Sequence, residues 1–140
     1  MNAVIELRDD PVPENGLAFE AWFDLREYLI DAHRALSMEH RFRGMEIGPA
    51  DCLDLKIVSR NELRFALLRV APVRAYSLNV TFDSDLLFLH YQVSGDPIAR
   101  DLFAFSKAGS CDHGFRTREG VTMTAEELGR SMVMRLTSCT

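Results

Sequence analysis

The chain has 140 residues, 47% of them hydrophobic and 26% charged, which is ordinary for one globular domain and excludes general disorder. The formal net charge of −5 would repel a phosphate backbone, and no apolar run approaches the roughly 20 residues that span a bilayer, so neither nucleic acid nor a membrane is an expected partner. The three cysteines, Cys52, Cys111 and Cys139, have no CxxC spacing and are odd in number, which argues against a disulfide framework and for reduced thiols.

Residues 1–10 include Glu6, Asp9 and Asp10 and lack the basic start and longer apolar core of a signal peptide, so a cytoplasmic location is expected. Ala3 to Leu7 reads as a short strand or an ordered arm that Pro11 and Pro13 end. Charge is uneven along the chain: residues 1–31 hold eight acids and two bases, whereas residues 32–82 hold eight bases and five acids. No linker or repeat divides the sequence, and 1–140 reads as a single domain.

Asn15 is placed to cap a helix beginning near Leu17. Trp22, Leu25, Leu29, Ala32 and Leu36 recur at helical spacing, flanked by Phe19, Phe23 and Ile30, and the helix is expected to run to about Met38 or His40 with Gly44 beyond its end. Residues 52–70 admit two readings. Leu53, Leu55 and Ile57 alternate with polar residues, Ser59-Arg60-Asn61 reads as a turn, and Leu63, Phe65 and Leu67 alternate again, which makes a hairpin. Ser59 and Glu62 at capping-box spacing, with Leu63, Ala66, Leu67 and Val70, favour a helix instead. The hairpin is preferred because the first strand supplies a partner for the second.

Tyr76, Leu78, Val80 and Phe82 then alternate with Ser77, Asn79 and Thr81, giving the clearest strand. Asp83-Ser84-Asp85 reads as a tight turn, and Leu87, Leu89, Tyr91 and Val93 as the returning strand, closed by Gly95, Asp96 and Pro97. Ile98 to Ser106 is a further strand, with Phe103 and Phe105 on one side and Leu102 and Ala104 on the other. Ala108 to Gly114 is a polar loop, after which Phe115 to Thr117 and Val121 to Met123 return along the sheet. A final helix opens with a capping box of Thr124 and Glu127, a staple of Met123 and Leu128, and a stripe of Ala125, Leu128, Met132 and Leu136. The expected fold is α+β: an antiparallel meander of about five or six strands with an N-terminal and a C-terminal helix packed on one face.

Chemistry-bearing residues are sparse. His33 and His40 lie seven apart on the first helix, and Cys111 and His113 two apart in a loop. Together these four are a candidate zinc set whose spacing matches no standard pattern, so no metal and no cofactor is expected. Cys111 with His113 or His90 is the one thiol–imidazole arrangement, with no orienting third group in sight, so no catalytic residue is assigned. Asp83 and Asp85 are explained by a turn, and Gly109 and Gly114 fit no phosphate-binding fingerprint.

A ligand-binding surface is the next candidate. His90, Arg64, Asn79 and Gln92 fall on polar positions of strands and would line one sheet face. The strongest anomaly is apolar residues on both sides of strands: Leu68 and Val70 oppose Leu63, Phe65 and Leu67, and Leu86 and Phe88 oppose Leu87, Leu89 and Tyr91. Two helices cover one face of a sheet, so the other needs a cover of its own. The function expected from this pattern is a non-catalytic assembly module. It would form a homodimer or take another protein partner through Leu68, Val70, Leu86 and Phe88. The alternative is a small-molecule-binding domain or small enzyme with a sheet-lined pocket near His90.

Overall fold

In the computed structural model, residues 13–70, 72–94, 96–106, 113–117 and 119–138 are described. Their elements in chain order are α1 (Pro13–Glu39), β1 (Arg41–Phe42), β2 (Met45–Glu46), β3 (Cys52–Ser59), β4 (Glu62–Val70), β5 (Val73–Asp83), β6 (Phe88–Val93), β7 (Asp96–Ser106), β8 (His113–Arg116), β9 (Thr122–Met123) and α2 (Ala125–Thr137). Strands β3 to β9 form one antiparallel sheet in the order β9-β8-β7-β6-β5-β4-β3, and β1 and β2 form a separate small hairpin. The two helices and the antiparallel sheet agree with the sequence reading. The strand count does not: seven strands take part where about five or six are expected, and of these β3 to β6 and the short β9 are described along their whole length to the side chains.

α1 starts at Pro13, before the expected cap at Asn15. Proline suits the first helical position because its missing N–H would have no partner there and its φ is already helical. The apolar stripe is as spaced in the sequence: Trp22, Leu25, Leu29, Ala32 and Leu36 are fully buried. Residues 52–70 form the β3–β4 hairpin, with Leu53 opposite Leu67, Leu55 opposite Phe65 and Ile57 opposite Leu63, so the helical alternative for 59–70 is overturned. Trp22 ties α1 to this hairpin, its Nε1 donating to the Arg60 carbonyl at 3.0 Å while its ring stacks on Phe82.

Three local expectations are corrected. Leu87 is not in a strand: it sits in the turn with φ 54°, after Asp83 Oδ1 has accepted hydrogen bonds from the Asp85 and Leu86 amides, and β6 begins at Phe88. Leu87 still packs against the core, which is why its apolar spacing mimics strand alternation. Asp96 and Pro97 do not close a strand but open β7, whose pairing with β6 shifts register between Tyr91 and Val93. A proline is tolerated at such an irregularity because no ladder amide is lost. Gly44 does more than follow the helix. With Arg43 it makes a two-residue turn between β1 and β2, both residues having positive φ (47° and 86°) as a type I′ hairpin requires. The arm at Ala3–Leu7, Gly95, most of the loop from Ala108, Cys139, and the sides taken by Leu102, Phe103, Ala104 and Phe105 lie outside the described residues.

The buried strand residues share one sheet face. Register puts Leu53, Leu67 and Tyr76 in one row, Leu55, Phe65, Leu78 and Val93 in the next, and Ile57, Leu63, Val80 and Tyr91 beyond it. All but Leu55, Ile57 and Tyr76 are buried, in one cluster with α1 and α2. α2 carries the expected capping box, Thr124 Oγ1 accepting from the Glu127 amide and Glu127 Oε1 from the Thr124 amide, and Leu128, Met132 and Leu136 face the core. The helices touch closely at Gly129, where a Cβ would stand 2.5 Å from Cδ1 of Tyr28. At its far end the Arg69 guanidinium donates to the Thr137 carbonyl and to Asp51 Oδ2, and Asp51 also accepts from the Gly48 and Val70 amides. A cation is favourable at a helix C-terminus, so this network ties α2 to the end of β4.

The sheet edges are protected. At β3 the Leu53 carbonyl lies 3.0 Å from His33 Nε2 and accepts from Ser37 Oγ at 3.2 Å; a carbonyl only accepts, so Nε2 carries the hydrogen. At the other edge β9 is only two residues long. A covering helix and a short edge both discourage unwanted strand pairing.

Candidate functional site

The other sheet face carries the alternate residues of the same strands, and register fixes who stands beside whom. At the end near the β4–β5 turn, Val70 is opposite Val73, and Leu68 lies between Cys52 and Ala75. One row on come Asp54, Ala66 and Ser77, and then Lys56, Arg64, Asn79 and Gln92 across four strands. Beyond them Glu62, Thr81 and His90 follow, and then Asp83 beside Phe88.

The structure therefore sets three of the candidate ligand residues, Arg64, Asn79 and Gln92, as direct cross-strand neighbours, with His90 in the adjoining row. Arg64 is held by Glu62, whose Oε2 accepts from Nε and lies 3.3 Å from Nη2. Lys56 stands opposite Arg64, a like-charge pair that is unfavourable on a sheet face and that Glu62 partly relieves. Of the candidate interface residues, Leu68 and Val70 share the corner patch, at 43% and 42% exposure, joined by Val73 at 74%. Phe88 lies at the opposite end of the same face and is half-buried. Leu86 is exposed, but in the turn before β6 rather than on the sheet. The patch at Val70 and Val73 was half legible: Val73 was missed because it precedes the recognisable alternation of β5.

Catalytic groupings gain nothing. His33 is occupied with the Leu53 carbonyl and His40 sits at the α1–β1 junction with φ 64°, while Cys111 and the side chain of His113 lie outside the described residues. Among the described residues no group of three or more His, Cys, Asp or Glu is placed to hold a metal ion. No helix of the described residues is long and apolar enough to cross a membrane.

A second polar grouping was invisible in the sequence. Arg43, held in the left-handed turn, pairs with Glu126 of α2, Nη1 to Oε2 at 2.6 Å, and its guanidinium lies 5.5 Å over the Tyr28 ring and 5.3 Å over that of Phe42. Tyr28 is only 7% exposed, and its buried hydroxyl has no hydrogen-bond partner among the described residues. Burial raises its pKa, with smaller opposing effects of Arg43 and Arg130, which lower it, and of Glu126, which raises it. These residues lie far apart in the chain and only the α1–α2 packing and the β1–β2 turn bring them together.

Compared with known proteins, the chain matches no family model, no curated protein and no solved structure.

Proposed function

We propose that the chain is a non-catalytic assembly module and that the helix-free face of its sheet binds a second copy of itself. The observation that carries this reading is the corner of Leu68, Val70 and Val73, exposed side by side on the face that neither helix covers. Four strands about 4.8 Å apart and about eight residues long present roughly 500 Å² in projection and more as accessible surface. That is of the order of the about 800 Å² per partner in a standard interface. Both signs of charge are interleaved on it, Asp54 and Glu62 against Lys56 and Arg64, so two copies need not repel. A twofold contact is self-complementary, and an apolar corner placed on the axis would meet itself.

Sedimentation equilibrium tests this. The wild type is expected to dimerise at micromolar concentration, and Val73→Asp to shift it toward monomer with its circular dichroism unchanged. Phe88→Asp, at the other end of the face, maps how far the contact extends. A wild type that stays monomeric at that concentration rejects the reading.

One observation favours a second reading, a small-molecule-binding face: Arg64, Asn79 and Gln92 stand in one cross-strand row beside His90. A monomer in which Arg64→Ala and Gln92→Ala abolish binding of a carboxylate ligand, while Val73→Asp does not, supports it over assembly.

A further inference from the structure

We propose that the junction of α1, α2 and the β1–β2 turn is a binding site for a small tetrahedral oxyanion such as inorganic phosphate. Arg43 and Arg130 would serve as its cations and the Tyr28 hydroxyl as its buried donor. Three observations converge on it, none of them involving the sheet face. The Tyr28 ring is clamped between Gly129, Phe42 and Arg43, yet its hydroxyl has no hydrogen-bond partner among the described residues. Burying an unpaired hydroxyl is unfavourable, and phenylalanine would fill the same space without that cost. Burial also keeps the phenol protonated, so the group remains a donor.

The second observation is charge. Glu126 pairs with Arg43 and stands one helical turn before Arg130 on α2. Arg43 is taken up by Glu126, while Arg130, four residues further along α2, has no ion-pair partner among the described residues. Arg130 Nη2 nonetheless lies 4.0 Å from where a Cβ on Gly44 would stand, so its guanidinium reaches the turn that carries Arg43. Arg43, Arg130 and Glu126 together sum to one positive charge, and planar guanidinium forks match the oxygens of phosphate.

The third is backbone. Arg43 has φ 47°, at a turn position usually given to Asn, Asp or Gly. An arginine costs strain there that those residues would not, and it delivers its guanidinium to the mouth of the junction. Glu126 then acts as an internal competitor: it occupies Arg43 until an anion with more oxygens and more charge displaces it.

Titration of the full-length chain with inorganic phosphate, against chloride at matched ionic strength, tests the site by calorimetry and by amide chemical shifts. Saturable binding at about millimolar phosphate is expected, with shifts centred on residues 42–44 and 126–130. Arg130→Gln should weaken it at least tenfold, and Arg43→Asn likewise, asparagine being tolerated in the turn. Tyr28→Phe should weaken it several-fold. Glu126→Gln should tighten it, because the competitor loses its charge. Arg130 is exposed and has no ion-pair partner among the described residues, so that variant keeps the test sound if Arg43→Asn disturbs the hairpin. Phosphate that does not saturate the wild type overturns the proposal, as does binding indifferent to Arg130→Gln or weakened by Glu126→Gln.

Discussion

The two faces of the sheet are built from alternate residues of the same strands, and they differ in what they tolerate. On β4, Leu63, Phe65 and Leu67 are sealed under the helices, while Arg64, Ala66 and Leu68 between them are exposed. Leu67 and Leu68 are the same residue one step apart, one at 1% exposure and the other at 43%. Hydrophobicity alone does not place a leucine; the phase of the strand relative to the helices does. The covered face is a packing problem that the chain solves for itself. The open face contributes little to folding, which leaves its residues free to be chosen for contact with something else.

The sharpest way to break this contrast is to truncate on both sides of one strand. Phe65→Ala should cost about 3–5 kcal/mol in urea melts, because a fully buried ring leaves a cavity that its neighbours fill only in part. Leu68→Ala should stay within about 0.5–1 kcal/mol at concentrations where the chain is monomeric. Equal losses at the two positions would mean that the outer face is also packed in the isolated chain.

The next variants probe the helix layer that makes one face different from the other. Gly129→Ala should destabilise by about 1–3 kcal/mol despite the better helix propensity of alanine, since its Cβ would run into the Tyr28 ring. A gain in midpoint would show that the helices can part cheaply. Thr124→Ala should cost about 1 kcal/mol by removing the N-cap acceptor of α2. The smallest effect is at high pH. The folded-state pKa of Tyr28 is raised above its ordinary value of about 10, so its ionisation opposes folding. The stability of the wild type is intact below about pH 10 and falls as pH rises from there through the folded pKa. Tyr28→Phe should lose less stability than the wild type over that range, measured as the difference between their midpoints at neutral pH and near pH 11.

The covered face was legible because the signals that specify it are local and periodic. Trp22 to Leu36 at helical spacing, Leu63 to Leu67 and Tyr76 to Phe82 at spacing two, and the Thr124–Glu127 box each declare an element within a dozen residues. The rival helix at 59–70 lost because β3 and β5 flank β4 on both sides, and pairing partners outweigh a chance capping box. Boundaries failed where one residue left the regular backbone: Leu87 in the left-handed region, and Pro97 absorbed by an irregular register. The polar row of Arg64, Asn79 and Gln92 could be named as sharing a face, but its alignment required the register. The Tyr28–Arg43–Glu126–Arg130 junction had no sequence signal, because its members come from three elements and meet only through the packing of Tyr28 on Gly129.

That packing also bears on how the chain reaches its fold. The meander joins each strand to its neighbour in sequence, so the sheet can grow through a series of short loops, each cheap in chain entropy. The contact of Tyr28 with Gly129 closes a loop of about a hundred residues, and it does so between the first helix and the last. Until α2 docks, the buried face of the sheet has only part of its cover. The connectivity therefore predicts that strand pairing sets the barrier and that α2 docks after it. Substitutions at Gly129 and Leu128 should then act mainly on the unfolding rate, leaving the folding arm of a chevron nearly in place if α2 is unformed at the barrier.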